Sequence, residues 1–370
     1  MQVNQQRLVD EFLELVKIDS KPKDERLIAD AVISKMNDLG FEVSEDDAGE
    51  KIGGTAGNVI GVLEGQKDAP ALLFCAHLDR VHPGLGIKPQ IKDGVITSDG
   101  TTILAADDVA GIVAILEAVR VIQEQKIPHG RLEILFTVAE EGGLFGAKSV
   151  DADRFKAKAG FFMDAGGPVG TIVTAAPAQK GLEAVIHGRA SHAGVAPEEG
   201  LSAIIVAAHA ITRMNLGRID AETTANIGVI EGGAATNIIP DRVKLQGEAR
   251  SLDNGKLDVQ MDHMVEVIES VCQEHGAKVD IDVEHSYSAF RLSEEDYPVR
   301  LAVKAAKAIG LEPKIESTGG GSDANIINGF GLPSVVLGMG YTDVHTTAEA
   351  ISIDQLVKSA QYVLGIIAES

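Results

Sequence analysis

The sequence is poor in several residue types, and each shortage excludes something. It has 2 cysteines, Cys75 and Cys272. One distant pair makes no disulfide framework, so the fold must rest on packing, and a reducing compartment is the simpler setting. Tryptophan is absent and aromatic residues make up 4% of the chain, which leaves little material for base-stacking surfaces. Basic residues are outnumbered, 33 Lys plus Arg against 55 Asp plus Glu, for a formal net charge of -22. That balance argues against nucleic acid and anionic membrane surfaces as partners, since both select basic faces. No apolar run reaches the length of a membrane span. Near the N-terminus, Leu8, Phe12, Leu15 and Val16 stand among Arg7, Asp10, Glu11 and Glu14. This is a helical stripe rather than a signal-peptide core, and a cytoplasmic location is expected.

What is present is the mix of a globular protein, with 45% hydrophobic and 24% charged residues over 370 positions. That length predicts two domains. In the first half, strand-like and helix-like segments alternate. Ala71–Ala76, Leu132–Ala139 and Gly160–Met163 are continuous apolar runs, as strands buried on both faces are. Asp108–Lys126 carries Val109, Ile112, Val113, Leu116 and Val119 at helical spacing. Ser334–Leu337 reads as a further strand and Ile353–Ile367 as a closing helix. The expected class is α/β, a mostly parallel sheet with helices on both faces. The middle differs. Leu182–Ile186, Gly200–Met214, Ile227–Ile230, Val243–Ala249, Leu257–His275 and Val279–Val283 read in the order β-α-β-β-α-β, a ferredoxin-like arrangement. The expected partition is residues 1–179 and 290–370 as one interrupted domain and 180–289 as the insertion. Lys51–Gly57 reads as a glycine-rich turn.

The acids and histidines fall at the carboxyl ends of the expected strands, where open α/β sheets bind ligands. His77 and Asp79 follow Ala76, Asp107 and Asp108 open a helix, and Glu140 and Glu141 follow Ala139. Asp164 follows Met163, and His345 follows the last strand and its Gly338–Gly340 turn. Taken singly, each has a plain explanation: a solvated loop, an acidic helix cap or a polar turn. Taken together, they place so much carboxylate on one edge that it would repel itself without a cation. Two zinc ions fit, with Co2+ or Mn2+ as substitutes. Zinc accepts His nitrogen and carboxylate oxygen and keeps a position open for water when catalytic. Asp107 is placed to bridge both ions, with His77 and Asp164 on one and Glu141 and His345 on the other. Asp79 can orient the His77 ring from its far nitrogen, and Glu140 is the candidate general base.

These residues carry a resemblance. Ala76-His77-Leu78-Asp79, Ala105-Ala106-Asp107-Asp108, Glu140-Glu141-Gly142, Met163-Asp164-Ala165 and His345 are similar to the dinuclear zinc peptidase and deacylase family, which includes glutamate carboxypeptidase and aminoacylase. Asp rather than Glu at position 164 resembles its aminopeptidase and dipeptidase side. Gly319–Asn325 and Thr236–Pro240 resemble the peptidase T-like, tripeptidase branch. The resemblance implies a zinc exopeptidase-like fold whose insertion is a lid, and hydrolysis of short peptides by removal of the N-terminal residue, with tripeptides the expected substrate. It implies that His192, in Ala190-Ser191-His192-Ala193-Gly194, contacts the substrate carbonyl oxygen. Asn237 and Arg250 then hold the substrate's carboxylate end, Gly320 lines the substrate cleft, and the lid forms a homodimer. The sequence departs from the family at Val109, where many relatives carry Lys, and at Thr318, before the glycines, where the peptidase T-like branch has a basic residue. Both departures bear on substrate preference.

Three alternatives stand beside this reading. A dipeptidase, carboxypeptidase or N-acyl amino acid deacylase would use the same metal site. Gly320-Gly321-Ser322-Asp323-Ala324 loosely echoes a serine-hydrolase elbow but follows no expected strand. A non-catalytic member would be marked by a lost ligand or base, and none is lost here.

Overall fold

Runs without polar alternation become strands that are covered on both sides. In the computed structural model, which describes residues 2–370, Leu72–His77 and Leu132–Thr137 are buried along their whole length. The chain divides into two units. One is Met1–Thr174, Leu292–Ser317 and Ser322–Ser370; the other is Ala175–Arg291 with Thr318–Gly321.

The first unit is built on a largely parallel sheet. Its strands run in the order Glu42–Glu45, Val59–Leu63, Leu132–Thr137, Leu72–His77, Ala159–Ala165, Ser334–Gly338 and Thr171–Ala176. The central pairings are parallel and the flanking ones antiparallel. The helix Ala106–Glu124 is apolar almost all round, because it is enclosed by the sheet and by the helices Gln5–Leu15 and Ile353–Glu369. Gly111 permits its close approach: a Cβ there would lie 2.5 Å from Asp108 Oδ1 and 2.6 Å from Met163 Cβ. A second, small sheet joins Tyr341–Thr342, Ala350–Ser352, Val95–Thr97 and Gln90–Lys92. It carries the loop that holds His345.

The second unit is a five-stranded antiparallel sheet, ordered Gly217–Arg218, Thr223–Gly232, Arg242–Ser251, Ala178–His187 and Lys278–Tyr287. The helices Ala203–Arg213 and Asn254–His275 cover one face around a core of its own, including Leu182, Ile186, Val206, Leu245, Met264 and Ile268. This is the ferredoxin-like order.

Local expectations differ from the structure in three places. Asp107 (φ -82°, ψ 103°) and Asp108 (φ -121°, ψ 32°) are not helical, so the regular helix begins only after them. Asp108 Oδ1 nevertheless accepts the Gly111 N–H at 3.1 Å and so caps the helix that follows. Lys314–Ser317, expected to be irregular, is a strand beside Thr171–Ala176. Its polar residues are tolerated because the strand is an edge. The expected turn at Lys51–Gly57 begins inside a short helix, Ala48–Ile52, that ends on Gly53 at φ +70°.

The N-terminal helix is fastened by charge. Glu117, fully buried, takes Arg7 Nε at 2.7 Å, Arg7 Nη2 at 2.9 Å and the Asn4 N–H at 2.9 Å. Arg7 also reaches the exposed Glu124. Arg7→Ala therefore strands a buried carboxylate, and urea denaturation should show a loss of about 3 kcal/mol. Glu117→Gln, which leaves Arg7 its Glu124 partner, should lose about 1–2 kcal/mol. Equal losses would mean that Glu117 is not the burdened partner.

Candidate metal centre and active site

Three turns at the carboxyl edge of the first unit's sheet present the acids and histidines. His77 ends the Leu72–His77 strand and is buried. Its Nε2 lies 3.0 Å from Asp107 Oδ1. The other oxygen of Asp107, Oδ2, lies 3.3 Å from His345 Nε2, and that same nitrogen is 2.9 Å from Glu141 Oε1. One carboxylate thus offers each of its oxygens to a different imidazole, which is the arrangement a bridging ligand needs. The ligand atoms of His77, Asp107 and Glu141 lie within 4.8 Å of one another. Asp164 sits near the end of the Ala159–Ala165 strand, within the strand rather than after it, and feels the charges of Asp107, Glu141 and Asp323. Glu140 is buried and feels Asp164 and His77.

The main chain around these ligands is tightly held. Glu349 accepts the N–H groups of Leu104, Ala105 and Asp107 at 2.8, 2.9 and 3.1 Å. Asp79 accepts those of Glu140 and Glu141 at 2.9 and 3.1 Å. Ala105, Ala139, Asp343 and His345 are left-handed, with φ between +51° and +62°, a conformation that costs an L-residue about 1–2 kcal/mol. At Ala105 and Ala139, side-chain acceptors on their own and the adjoining amides hold it in place. The contact expected between the Asp79 carboxylate and the His77 ring takes another form. His77 Nδ1 is 2.9 Å from the Asp79 carbonyl oxygen and 3.6 Å from its carboxylate. The ring is still oriented from its far side, by main chain, because the carboxylate is occupied by the Glu140–Glu141 amides.

The electrostatics are those of a cluster short of positive charge. Burial, and then Asp164, raises the Glu140 carboxyl well above its usual range. Burial does the same for Asp164 and Asp108, and it lifts Asp79 and Asp323 to about 6. Asp107 is the exception: burial would raise it, but His345 and His77 prevail and hold it below the carboxylate range. Its contact with Asp107, followed by that with Glu141, raises His345 to about 10. Asp108 Oδ2 is buried with no hydrogen-bond partner among the described residues. Two imidazoles and several crowded carboxylates, one with an unpaired buried oxygen, are a donor set that fits zinc. Sequence reasoning placed Asp108 at this edge without a role and overlooked Glu349 and Asp323. Glu349 stands four residues after His345, and Asp323 sits in a motif whose glycines drew attention instead.

Beside Glu141 opens a cavity of about 330 Å³, bordered by Lys21, Pro22, Val81 and Leu85. In the second unit, His192 Nδ1 accepts the Gly194 N–H at 3.2 Å, and the Ala193 N–H donates to the Asn237 carbonyl at 2.9 Å. His192 and Asn237 thus lie on adjoining segments, bridged at His192 and Ile238. Arg250 is engaged by Glu248 through Nε at 3.0 Å and Nη2 at 3.1 Å, and its Nη1 lies 3.5 Å from the Gly319 carbonyl. Glu248 was not anticipated as its partner. Gly320 donates its N–H to Thr318 Oγ1 at 3.2 Å. Next to it, Gly321 must be glycine: a Cβ would lie 2.2 Å from the Tyr287 ring.

Comparison with known proteins gives the family and the fold. Residues 73–369 match the Peptidase family M20/M25/M40. The crystal structure of aminopeptidase PepT from Bacillus cereus shares 50% identity, covers 99% of both chains and superposes with a TM-score of 0.92. That of a tripeptidase from Staphylococcus aureus shares 44% identity, covers 100% of this chain and 99% of its own, and gives a TM-score of 0.96. Peptidase T of Vibrio cholerae is 28% identical over 404 residues, 96% of each chain.

The raised carboxyl groups set the pH dependence of the metal-free protein. Asp79 and Asp323 near 6, and Glu25 at about 7 through burial and then Asp79, bind protons in the folded state that the unfolded chain has released. Between about pH 4 and 7 the folded state is the more protonated, so its stability falls as pH rises. Unfolding by urea in the presence of chelator should show this decline, and added zinc should flatten it. A metal-free protein that gains stability across the window would contradict the electrostatics described.

Proposed function

We propose that this chain, which belongs to the Peptidase family M20/M25/M40, is a dinuclear zinc aminopeptidase that removes the N-terminal residue of short peptides, above all tripeptides. It is a metal-dependent peptidase; the tripeptide preference and the zinc are our reading, supported by its likeness to a tripeptidase and to aminopeptidase PepT. The observation that carries the reading is Asp107, with one oxygen toward His77 and the other toward His345. We assign His77 and Asp164 to one ion, Glu141 and His345 to the other, and Asp107 to both. When bound, the ions would lower the pKa of a water to about 7 and polarise the scissile carbonyl.

The chain's own groups do the rest. Glu140, whose carboxyl is raised by burial, takes the proton of the attacking water and delivers it to the leaving amine. Asp79 holds the Glu140 and Glu141 amides and backs the His77 ring, so that base and ligands keep their places. His192 donates to the oxyanion that develops on the carbonyl oxygen. Arg250 and Asn237 receive the far carboxylate, with Gly320 in the cleft lining. Glu248 keeps the Arg250 fork in plane for that task. The cavity next to Glu141, lined by Pro22, Val81 and Leu85 together with Lys21, Arg80 and His82, has the size to receive a substrate side chain.

We further propose a homodimer through the second unit. There, Val195, Ile204, Ile205, Ile230 and Ile238 are exposed, and the edge strand Lys278–Tyr287 has one unpaired side. Both cysteines are buried and free, which suits a reducing cytoplasm. Among the described residues no helix is long and apolar enough to cross a membrane.

Base and ligand separate by mutation. Glu140→Gln should retain its metal and fold while kcat falls by roughly 10² to 10⁴, the usual worth of a general base. Glu141→Gln should instead weaken metal binding; the reverse pattern would exchange the two roles. On a panel of di-, tri- and tetrapeptides and N-acyl amino acids, tripeptides should give the highest kcat/KM. Preference for an N-acyl amino acid would make the enzyme a deacylase. His192→Ala should lower kcat by about 10² to 10³ with metal content unchanged. Mixing it with Glu140→Gln protein should restore activity only if His192 serves the partner's site.

A further inference from the structure

Four consecutive amides lead out of the Leu132–Thr137 strand into the turn that carries Glu140 and Glu141, and each ends on a side-chain acceptor. The Val138 N–H donates to Asn58 Oδ1 at 3.1 Å and the Ala139 N–H to Glu25 Oε1 at 3.0 Å. The Glu140 and Glu141 N–H groups donate to the two oxygens of Asp79. Beyond the strand's end no neighbouring strand offers carbonyls, so side chains from three separate segments replace them.

Two of these acceptors have further work. Asn58 also donates to Asp46 and to the Gly146 carbonyl, and the Asp79 main chain backs the His77 ring. Glu25 is different. It is fully buried, and its Oε1 takes both the Ala139 N–H and the Lys23 N–H, the latter at 2.7 Å. Its Oε2 has no hydrogen-bond partner among the described residues. A buried carboxyl with one idle oxygen is an unfavourable choice for packing alone. What Glu25 secures is Ala139, held at φ +51° immediately before Glu140. A left-handed L-residue persists only where its surroundings over-determine it.

We propose that Glu25 is a positioning residue of the active site, fixing the Ala139 turn so that the Glu140 and Glu141 carboxylates face Asp107 and His345. It acts through the main chain and touches no substrate. The proposal rests on the roles given above to Glu140 and Glu141.

Three substitutions test it in the full-length enzyme, assayed on a tripeptide and titrated with Co2+, whose visible absorption reports ligand geometry. Glu25→Gln keeps the volume and the Oε1 acceptor, so kcat should stay within about threefold of the parent, both amides still being served. Glu25→Ala removes the acceptor. It should lower kcat by about 10- to 100-fold, leave KM within about twofold, and weaken and alter the Co2+ spectrum, as loss of a supporting hydrogen bond to a metal site does. Glu25→Asp keeps the charge but retracts the acceptor by one methylene; it should lose about tenfold in kcat while staying folded at the assay temperature, with a lowered melting temperature. If Glu25→Ala does not fold, Glu25→Asp decides: native kcat and spectrum overturn the proposal. It is also overturned if Glu25→Ala matches the parent, or if Glu25→Gln is as impaired as Glu25→Ala, since charge rather than the acceptor would then matter. Glu140→Gln in the same assay separates the two levels. If it is active, the reading of the site fails. If it is inactive while Glu25→Ala is native, only the role of Glu25 fails.

Discussion

Carboxylates crowded at one buried edge of a sheet repel, and that repulsion is the constraint on which the rest of this structure depends. Asp79, Asp107, Asp108, Glu140, Asp323 and Glu349 are all buried in the first unit, and the imidazoles facing Asp107 are His77 and His345. Two like charges 4 Å apart repel by about 4 kcal/mol at an effective dielectric near 20. A fold would not accumulate such groups for stability. Those not held by an imidazole are raised above their ordinary range, and only Asp107, touched by both, is lowered. On the reading proposed above, a pair of divalent cations would resolve this conflict and would supply the hydrolytic chemistry.

The supporting structure answers the same constraint. Carboxylates that do not face the centre are spent on main-chain amides: Glu349 on three in the turn of Asp107, Asp79 on two in the turn of Glu140. These bonds hold the left-handed Ala105 and the turn after the left-handed Ala139 in place. The apolar helix Ala106–Glu124 and the parallel strands provide the rigid frame, with Gly111 giving the clearance. The second unit has its own core and its own sheet.

The sequence made the architecture legible because its signals are local. Apolar runs marked the strands, helical stripes marked the helices, and the acids at strand ends marked the site. The βαββαβ order of the insertion could be read from alternation alone. The supporting contacts could not be read. Glu349 reaches Leu104, and Glu25 reaches Ala139, across more than a hundred residues, and nothing in their own surroundings marks them. Asp107 and Asp108 looked like a helix cap, since acids at a helix start ordinarily are; Asp108 does cap, through the Gly111 N–H, while Asp107 faces His77 and His345 instead. His77 was expected to lean on the Asp79 carboxylate and leans on its carbonyl instead, because two amides had already claimed the carboxylate. Lys314–Ser317 hid as a polar segment because edge strands need not be apolar.

The central claim is that Asp107 divides one site into two. Anomalous diffraction from zinc-loaded crystals, collected on both sides of the zinc absorption edge, tests it most directly. The account predicts two peaks per chain flanking the Asp107 carboxylate, one contacted by His77 and Asp164 and the other by Glu141 and His345. A single peak, or two peaks that leave either Asp107 oxygen uncoordinated, would contradict it.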